Sequence, residues 1–228
     1  AERRASEELQ RSSANLVTIV DVLQEIGKSD VTVTEAISVI TRRAKALTGA
    51  TDAAVEMSTN GERKNPAADG RMADKLDQAL PAKGGLSELA VRNGSALVCE
   101  NAESDPREDW AACRAVGVRS LIVAPLRDSG GIIGVLKVVS DKPGAFVQRD
   151  VKNLEILAAS LGAAIQRHQA AERLRASEEQ YRMLFAGNPH PMITVDERSL
   201  QILMANSAAM RRYGYTEAEF RSLTFHDL

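Results

Sequence analysis

The sequence predicts an α+β protein, and three observations carry that reading. Residues 118–126 and 132–140 are two nearly continuous apolar runs, joined by the polar turn Arg127-Asp128-Ser129-Gly130-Gly131. Successive side chains of a strand point to opposite faces, so runs that are apolar on both alternating sets belong to strands covered on both sides. Residues 148–186 form one long helical pattern, with Val151, Leu154, Ala158, Leu161 and Ile165 in heptad register. Leu9, Ser12, Leu16, Ile19, Leu23 and Ile26 repeat at the alternating spacing of a coiled-coil seam, with Gly27 as the stop. Something must cover the sheet twice, and the long helix is one of the covers.

The remaining elements follow in chain order. A helix fits residues 34–48, capped by Thr34, striped by Ile37, Ile40, Ala44 and Leu47, and stopped by Gly49. Residues 52–58 read as a strand, followed by a turn at Asn60-Gly61. Residues 62–83 are polar, carry Pro66, Gly70 and Pro81, and show no sustained period. A short helix spans 86–92 and a brief strand 96–99. Asp105-Pro106-Arg107-Glu108 has the form of a helix start, with Asp105 as cap and Glu108 at the capping-box position. That helix runs through Trp110 and Cys113 to Gly117. Phe146 and Val151 are spaced as a hydrophobic staple around the start of the long helix. After Ile165 its register slips, since Ala171, Leu174, Tyr181 and Phe185 follow a displaced phase. Its second half is charged and reads as a linker, ending at Gly187-Asn188-Pro189. Beyond it, 191–195 and 200–204 resemble a strand pair around Asp196-Glu197-Arg198-Ser199. Two short helices follow at 206–212 and 216–222, the second opened by the Thr216/Glu219 capping box.

Composition narrows the function. The formal charge is −2, which leaves no basic surplus for phosphates, so neither nucleic acid nor an acidic membrane is the expected partner. Apolar residues make up 44% and charged residues 26%, as in an ordinary folded chain. Two cysteines are too few for a disulfide framework or a four-cysteine zinc site. No apolar run approaches the roughly 20 residues that cross a bilayer, and Ala1-Glu2-Arg3-Arg4 leads into a polar helix. A cytoplasmic protein is expected.

The stretch from Asp105-Pro106-Arg107 through Cys113-Arg114-Ala115-Val116-Gly117-Val118-Arg119-Ser120 to Pro125-Leu126 resembles the GAF family. So does its continuation, Gly131-Ile132-Ile133-Gly134-Val135-Leu136-Lys137-Val138, followed by Pro143-Gly144-Ala145-Phe146 and Asp150. The tail is similar to the opening of a PAS domain, in Ser177-Glu178-Glu179-Gln180-Tyr181, Asn188-Pro189-His190-Pro191, Ala205-Asn206-Ser207 and Tyr213-Gly214-Tyr215. The resemblance implies a central antiparallel sheet with the long N- and C-terminal helices on one face and a small-molecule pocket on the other, followed by an incomplete PAS segment. It divides the chain into a coiled-coil linker (1–28), a GAF domain (29–166), a signalling helix (167–187) and a PAS start (188–228). Two departures stand out. Val147 occupies the place where the family has a hydroxyl to cap the long helix, and 62–83 is polar where relatives have a strand and pocket wall.

The function this implies is a non-catalytic input module of a bacterial signalling protein, with a sensor histidine kinase as the expected parent. It would bind a small molecule and relay the change through the helices of a homodimer. Alternatives are the input of a diguanylate cyclase or phosphodiesterase, or a ligand-free dimerisation spacer. The expected ligand contacts are Arg107, Trp110, Cys113, Arg114 and Ser120, at the mouth of the implied pocket. Cys113 also stands where GAF-fold enzymes that reduce free methionine sulfoxide carry their nucleophile. Their companion residues are missing, with Lys137 and Val139 where the enzymes have two Asp, and packing is the simpler role. Bilin attachment is not expected, because Arg114 and not His follows Cys113. His168 lacks the acidic neighbour of a phosphoacceptor, and the acidic residues at 100–109 fit a solvated loop better than a metal site. No cofactor is identified.

Overall fold

The structure, a computed structural model, describes residues 20–22, 24–27, 31–59, 62–70 and 85–228. It divides into two compact units, residues 1–168 and 169–228.

The first unit is built on a five-stranded antiparallel sheet. Its strands are β1 (Asp52–Thr59), β2 (Glu62–Gly70), β3 (Leu97–Cys99), β4 (Ser120–Asp128) and β5 (Gly131–Ser140), in the order β2-β1-β5-β4-β3. The two apolar runs are the central hairpin, β4 and β5, paired from Ser120↔Ser140 to Asp128↔Gly131. On one face Ala53, Val55, Ile122, Ala124, Leu126, Leu136 and Val138 form a core with helices α1 (Val33–Thr48) and the first half of α4 (Gln148–Gly187). On the other, Ala54, Leu121, Val123, Val135 and Val139 pack with helices α2 (Gly85–Asn93) and α3 (Trp110–Val116). None of these strand residues is more than 5% exposed, so both covers exist.

Helix starts depart from the sequence reading in two places. α1 begins one residue earlier and its cap lies two residues earlier, because Thr32 and not Thr34 has a Glu three residues on: Glu35 N–H donates to Thr32 Oγ1, and Glu35 Oε2 accepts from Thr32 N–H at 2.8 Å. α3 is capped by Asp109, whose carboxylate accepts from Ala112 N–H at 3.1 Å. Asp105 instead closes a turn on Arg107, accepting its backbone N–H at 3.0 Å and its guanidinium at 2.6 and 2.8 Å. Glu108 is thereby released from capping and turns toward α2.

The polar stretch also departs from its reading, since 62–70 is a strand. β2 is the sheet edge, paired only with β1, and its register slips between the Val55↔Ala67 and Met57↔Lys64 pairs. Asn65 and Pro66 fall in that slip, where a residue without an N–H takes nothing from the ladder. Residues 71–84 lie outside the described set.

α4 starts without a hydroxyl cap, and the reciprocal half of a capping box is supplied from inside the helix. Val147 N–H donates to Asp150 Oδ2 at 2.9 Å, which is the backbone half of a capping box. The heptad residues Val151, Leu154, Ala158, Leu161 and Ile165 are all buried, together with Leu157. Gly162 brings the helix backbone against Arg127, where an added Cβ would overlap the carbonyl oxygen. Val22 and Ile26, in the described helical residues before α1, join the same core. The rest of the N-terminal heptad, Leu9 to Leu23, lies outside the described residues. Past Ile165 the displaced stripe is exposed at Leu174 and Tyr181.

In the second unit β6 (Ile193–Val195) and β7 (Ile202–Ala205) form an antiparallel pair. Helix α5 (Ser207–Tyr213) and helix α6 (Glu217–Ser222) follow, the latter opened by the expected Thr216/Glu219 box. Ile202, Ala205, Ala209 and Phe220 are its core. Asn206, 2% exposed, is its hub. Its Oδ1 accepts from Met192 N–H and Ala209 N–H, and its Nδ2 donates to the carbonyls of Phe185, Asn188 and His190. A buried amide that satisfies five backbone bonds fixes the exit of α4 to the strand pair within this unit.

Candidate ligand-binding site

The sheet face turned away from α1 and α4 carries three buried charged side chains among its described residues: Asp52 at the start of β1, opposite Val139, and the pair Glu56 and Lys137 nearer the centre. Strand alternation places the pair there: Leu136 and Val138 point to the helices, so Lys137 points the other way, and Val55 and Met57 do the same for Glu56. Lys137 is flanked across the ladder by Ala54 and Val123, and Glu56 by Val135. The two charges are therefore diagonal neighbours on adjacent strands, and Lys137 Nζ donates to Glu56 Oε1. Lys137 is 1% and Glu56 8% exposed. Removing an ion from water costs several kcal/mol, and a pair recovers this only with good geometry and further hydrogen bonds. Here the second oxygen, Glu56 Oε2, is buried with no hydrogen-bond partner among the described residues.

Above this floor sits Glu108. Its Oε1 accepts the free N–H of Leu86 in the first turn of α2 at 2.9 Å, and its Oε2 receives the Cys113 thiol at 3.9 Å. Burial pushes its carboxyl above the ordinary carboxylate range, against the Leu86 N–H and the Lys137 charge, which pull it down. The shift makes the folded chain favour the protonated form, so this group's contribution to stability is complete below pH 4.5 and declines as the pH rises above that value.

The residues expected at the pocket mouth fall in different places. Arg107 is engaged by Asp105 and donates to the Val98 carbonyl at 2.8 Å. Its hydrogen bonds hold the Asp105 carboxyl at about 2. Trp110 packs on the apolar cluster, with the Arg119 guanidinium 5.4 Å from its ring centre. Cys113 is buried beside Glu108, Arg114 is exposed on α3, and Ser120 Oγ donates to the Lys142 carbonyl at 2.6 Å. Sequence reasoning missed Glu56, Lys137 and Glu108. The signal available was a single charge inside each of two otherwise apolar strands, Ala53-Ala54-Val55-Glu56-Met57 and Val135-Leu136-Lys137-Val138-Val139.

Burial raises both thiols, Cys99 and Cys113, to about 12, reinforced by Asp105 at the first and by Glu108 and Asp109 at the second. Nucleophilic sulfur is thiolate, and neither thiol ionises near neutral pH. Among the described residues no group of three His, Cys, Asp or Glu is placed to hold a metal, and no described helix is long and apolar enough to cross a membrane.

A profile of the GAF domain family matches residues 30–166, more than half of the chain. The chain belongs to the GAF domain family. A PAS domain profile matches residues 179–228, C-terminal to the GAF match. A curated relative assigned as the 3′,5′-cyclic phosphodiesterase pde-5 of Caenorhabditis elegans is 28% identical over 101 residues, which is 43% of this chain and 14% of that protein. The chain thus spans a small part of that relative. Solved structures share the GAF fold. One is a GAF domain assigned to a sensor histidine kinase of Pseudomonas syringae pv. tomato, 19% identical, with a TM-score of 0.58 and coverage of 76% of this chain and 99% of that one. Another is the free methionine-R-sulfoxide reductase of Neisseria meningitidis in complex with its substrate, 19% identical, with a TM-score of 0.58 and coverage of 68% and 89%.

The thiols of this GAF domain distinguish it in a measurable way. At pH 8 an ordinary cysteine is substantially ionised, while a thiol at about 12 is roughly one part in ten thousand thiolate. Alkylation of native protein by iodoacetamide is expected to leave Cys99 and Cys113 unmodified on a timescale that labels a free thiol completely, as read by peptide mass spectrometry. Rapid labelling of Cys113 at pH 8 would contradict the burial described.

Proposed function

We propose that this GAF–PAS chain is a sensory input module of a multidomain bacterial signalling protein, with a histidine kinase as its output. A small molecule binds on the Glu56–Lys137 face of the GAF domain, and the response passes along α4 in a homodimer. The observation that carries this reading is the helix itself. α4 is unbroken from Gln148 to Gly187, with Leu154, Leu161 and Ile165 in the GAF core and Phe185 buried in the second unit. A helix that contributes a buried side chain to each unit is a physical carrier for a shift in either. The exposed Leu174 and Tyr181, in a phase displaced from Ile165, supply an apolar stripe for a second copy. The sensor-kinase GAF domain of P. syringae pv. tomato supports the choice of output. A ligand that favours one arrangement needs only the coupling typical of allosteric proteins, about 1–3 kcal/mol, to bias two helix registers.

Single cysteines placed at positions 161–181 test the relay, with copper-catalysed disulfide formation read on gels. Cross-links are expected to peak every three to four residues, as in a paired helix. The peak positions are expected to move when a low-molecular-weight extract of the host cells is added. One fixed phase under both conditions, or no cross-linking, contradicts the relay.

A further inference from the structure

The sensory reading leaves the chemistry of the ligand open, and the floor of the GAF face constrains it. Lys137 has three N–H bonds, and the one acceptor found for it among the described residues is Glu56 Oε1. Glu56 is more than nine-tenths buried, and its Oε2 is an acceptor with no donor among those residues. Side by side on adjacent strands stand an ammonium with hydrogens to give and a carboxylate oxygen with lone pairs to fill. We propose that this pair recognises a small neutral ligand through an edge carrying adjacent acceptor and donor atoms, of the amide, lactam or ureido class. This rests on the sensory reading above and gives it a substrate class.

Asp52, buried on the same face, makes an interaction of its own, and the balance of charge at the Glu56–Lys137 pair selects neutrality. An anionic ligand that reached Lys137 would lie against Glu56, with Glu108 close enough to feel the same Lys137 charge. A cationic ligand that reached Glu56 Oε2 would lie against Lys137. In a poorly solvated site each of these repulsions is large. A carbonyl and an N–H on one edge meet both groups at once, and each bond is assisted by a full charge on the protein side. The surrounding Ala54, Leu121, Val123, Val135 and Val139 are covered by α2 and α3, so an apolar or aromatic body behind that edge takes the place of part of that cover. The raised pKa of Glu108 agrees with a face that tolerates little added charge.

Three isosteric probes separate the possibilities, namely nicotinamide, nicotinate and 3-(aminomethyl)pyridine, titrated against the full 228-residue chain by saturation-transfer NMR. Nicotinamide is expected to bind, and its charged analogues about tenfold more weakly or worse. The double variant Lys137→Met/Glu56→Leu removes the pair without leaving a lone charge, and is expected to abolish nicotinamide binding. Glu56→Gln, which keeps shape and loses the carboxylate, is expected to weaken it about tenfold and serves where the double variant does not fold. A charged analogue that binds as well as nicotinamide and is lost in the double variant overturns the neutral-edge inference while the sensory site stands. Nicotinamide binding unchanged in either variant shows that the pair is not the recognition element. Binding of none of the three overturns the ligand class, and the cross-linking series then judges the sensory reading separately.

Discussion

Lys137→Met is expected to destabilise the GAF domain by about 3–5 kcal/mol, the range seen when one partner of a buried ion pair is removed. The reason is local. Glu56 Oε1 loses its donor while Oε2 already has none among the described residues, so a carboxylate would be left dry and uncompensated beside Ala54 and Val135. In a thermal melt this is a fall of roughly 10–15 °C. Lys137→Met/Glu56→Leu is expected to recover most of that loss, because apolar replacement of a whole buried pair is often neutral or stabilising. With Glu56→Leu as the fourth corner, urea denaturation of the cycle isolates the pair energy. A single variant within about 1 kcal/mol of wild type would mean that the pair is solvated, as exposed pairs are.

Gly162→Ala is expected to cost about 3 kcal/mol or more, at the upper end of the overpacking range. An added Cβ would overlap the Arg127 carbonyl oxygen and lie 3.0 Å from its carbon and 3.1 Å from its nitrogen. These are backbone atoms at the end of β4, so no rotamer change relieves the clash, and α4 must lift off the sheet. Lifting uncovers Leu161 and Ile165, which sit on either side of the contact and are now at most 1% exposed. The reverse substitution next door, Ala163→Gly, touches an exposed position and is expected to cost about 1 kcal/mol from helix propensity alone. Equal effects at the two positions, measured by urea denaturation, would show that α4 does not dock through Gly162.

What the sequence made legible follows from how strongly burial writes into it. β4 and β5 are apolar on both alternating sets because both faces are covered, and α4 shows a heptad because one face is. The Thr216/Glu219 box marks its helix because both halves of the reciprocal pair are written at the right spacing. β2 was illegible for the opposite reason, since an edge strand with Pro66 in a register slip carries neither alternation nor apolar run. The caps of α1 and α3 were misplaced because two candidates stood close together, Thr32 with Thr34 and Asp105 with Asp109. Only the position of Glu35 and the turn closed by Arg107 decide between them. The candidate site was the least legible part. Glu56 and Lys137 lie 81 residues apart, and only the placement of β1 beside β5 makes them a pair. Glu108 reads in the sequence as the capping-box partner of Asp105, but Asp109 is the cap.

The central claim is that the Glu56–Lys137 face of this GAF domain holds a small molecule. Native mass spectrometry of the protein purified from its own host tests it most directly. The account predicts one neutral organic molecule retained per chain, released on denaturation and missing from the Lys137→Met/Glu56→Leu variant. A wild-type mass equal to that of the bare chain, or an adduct that survives in the variant, would contradict it.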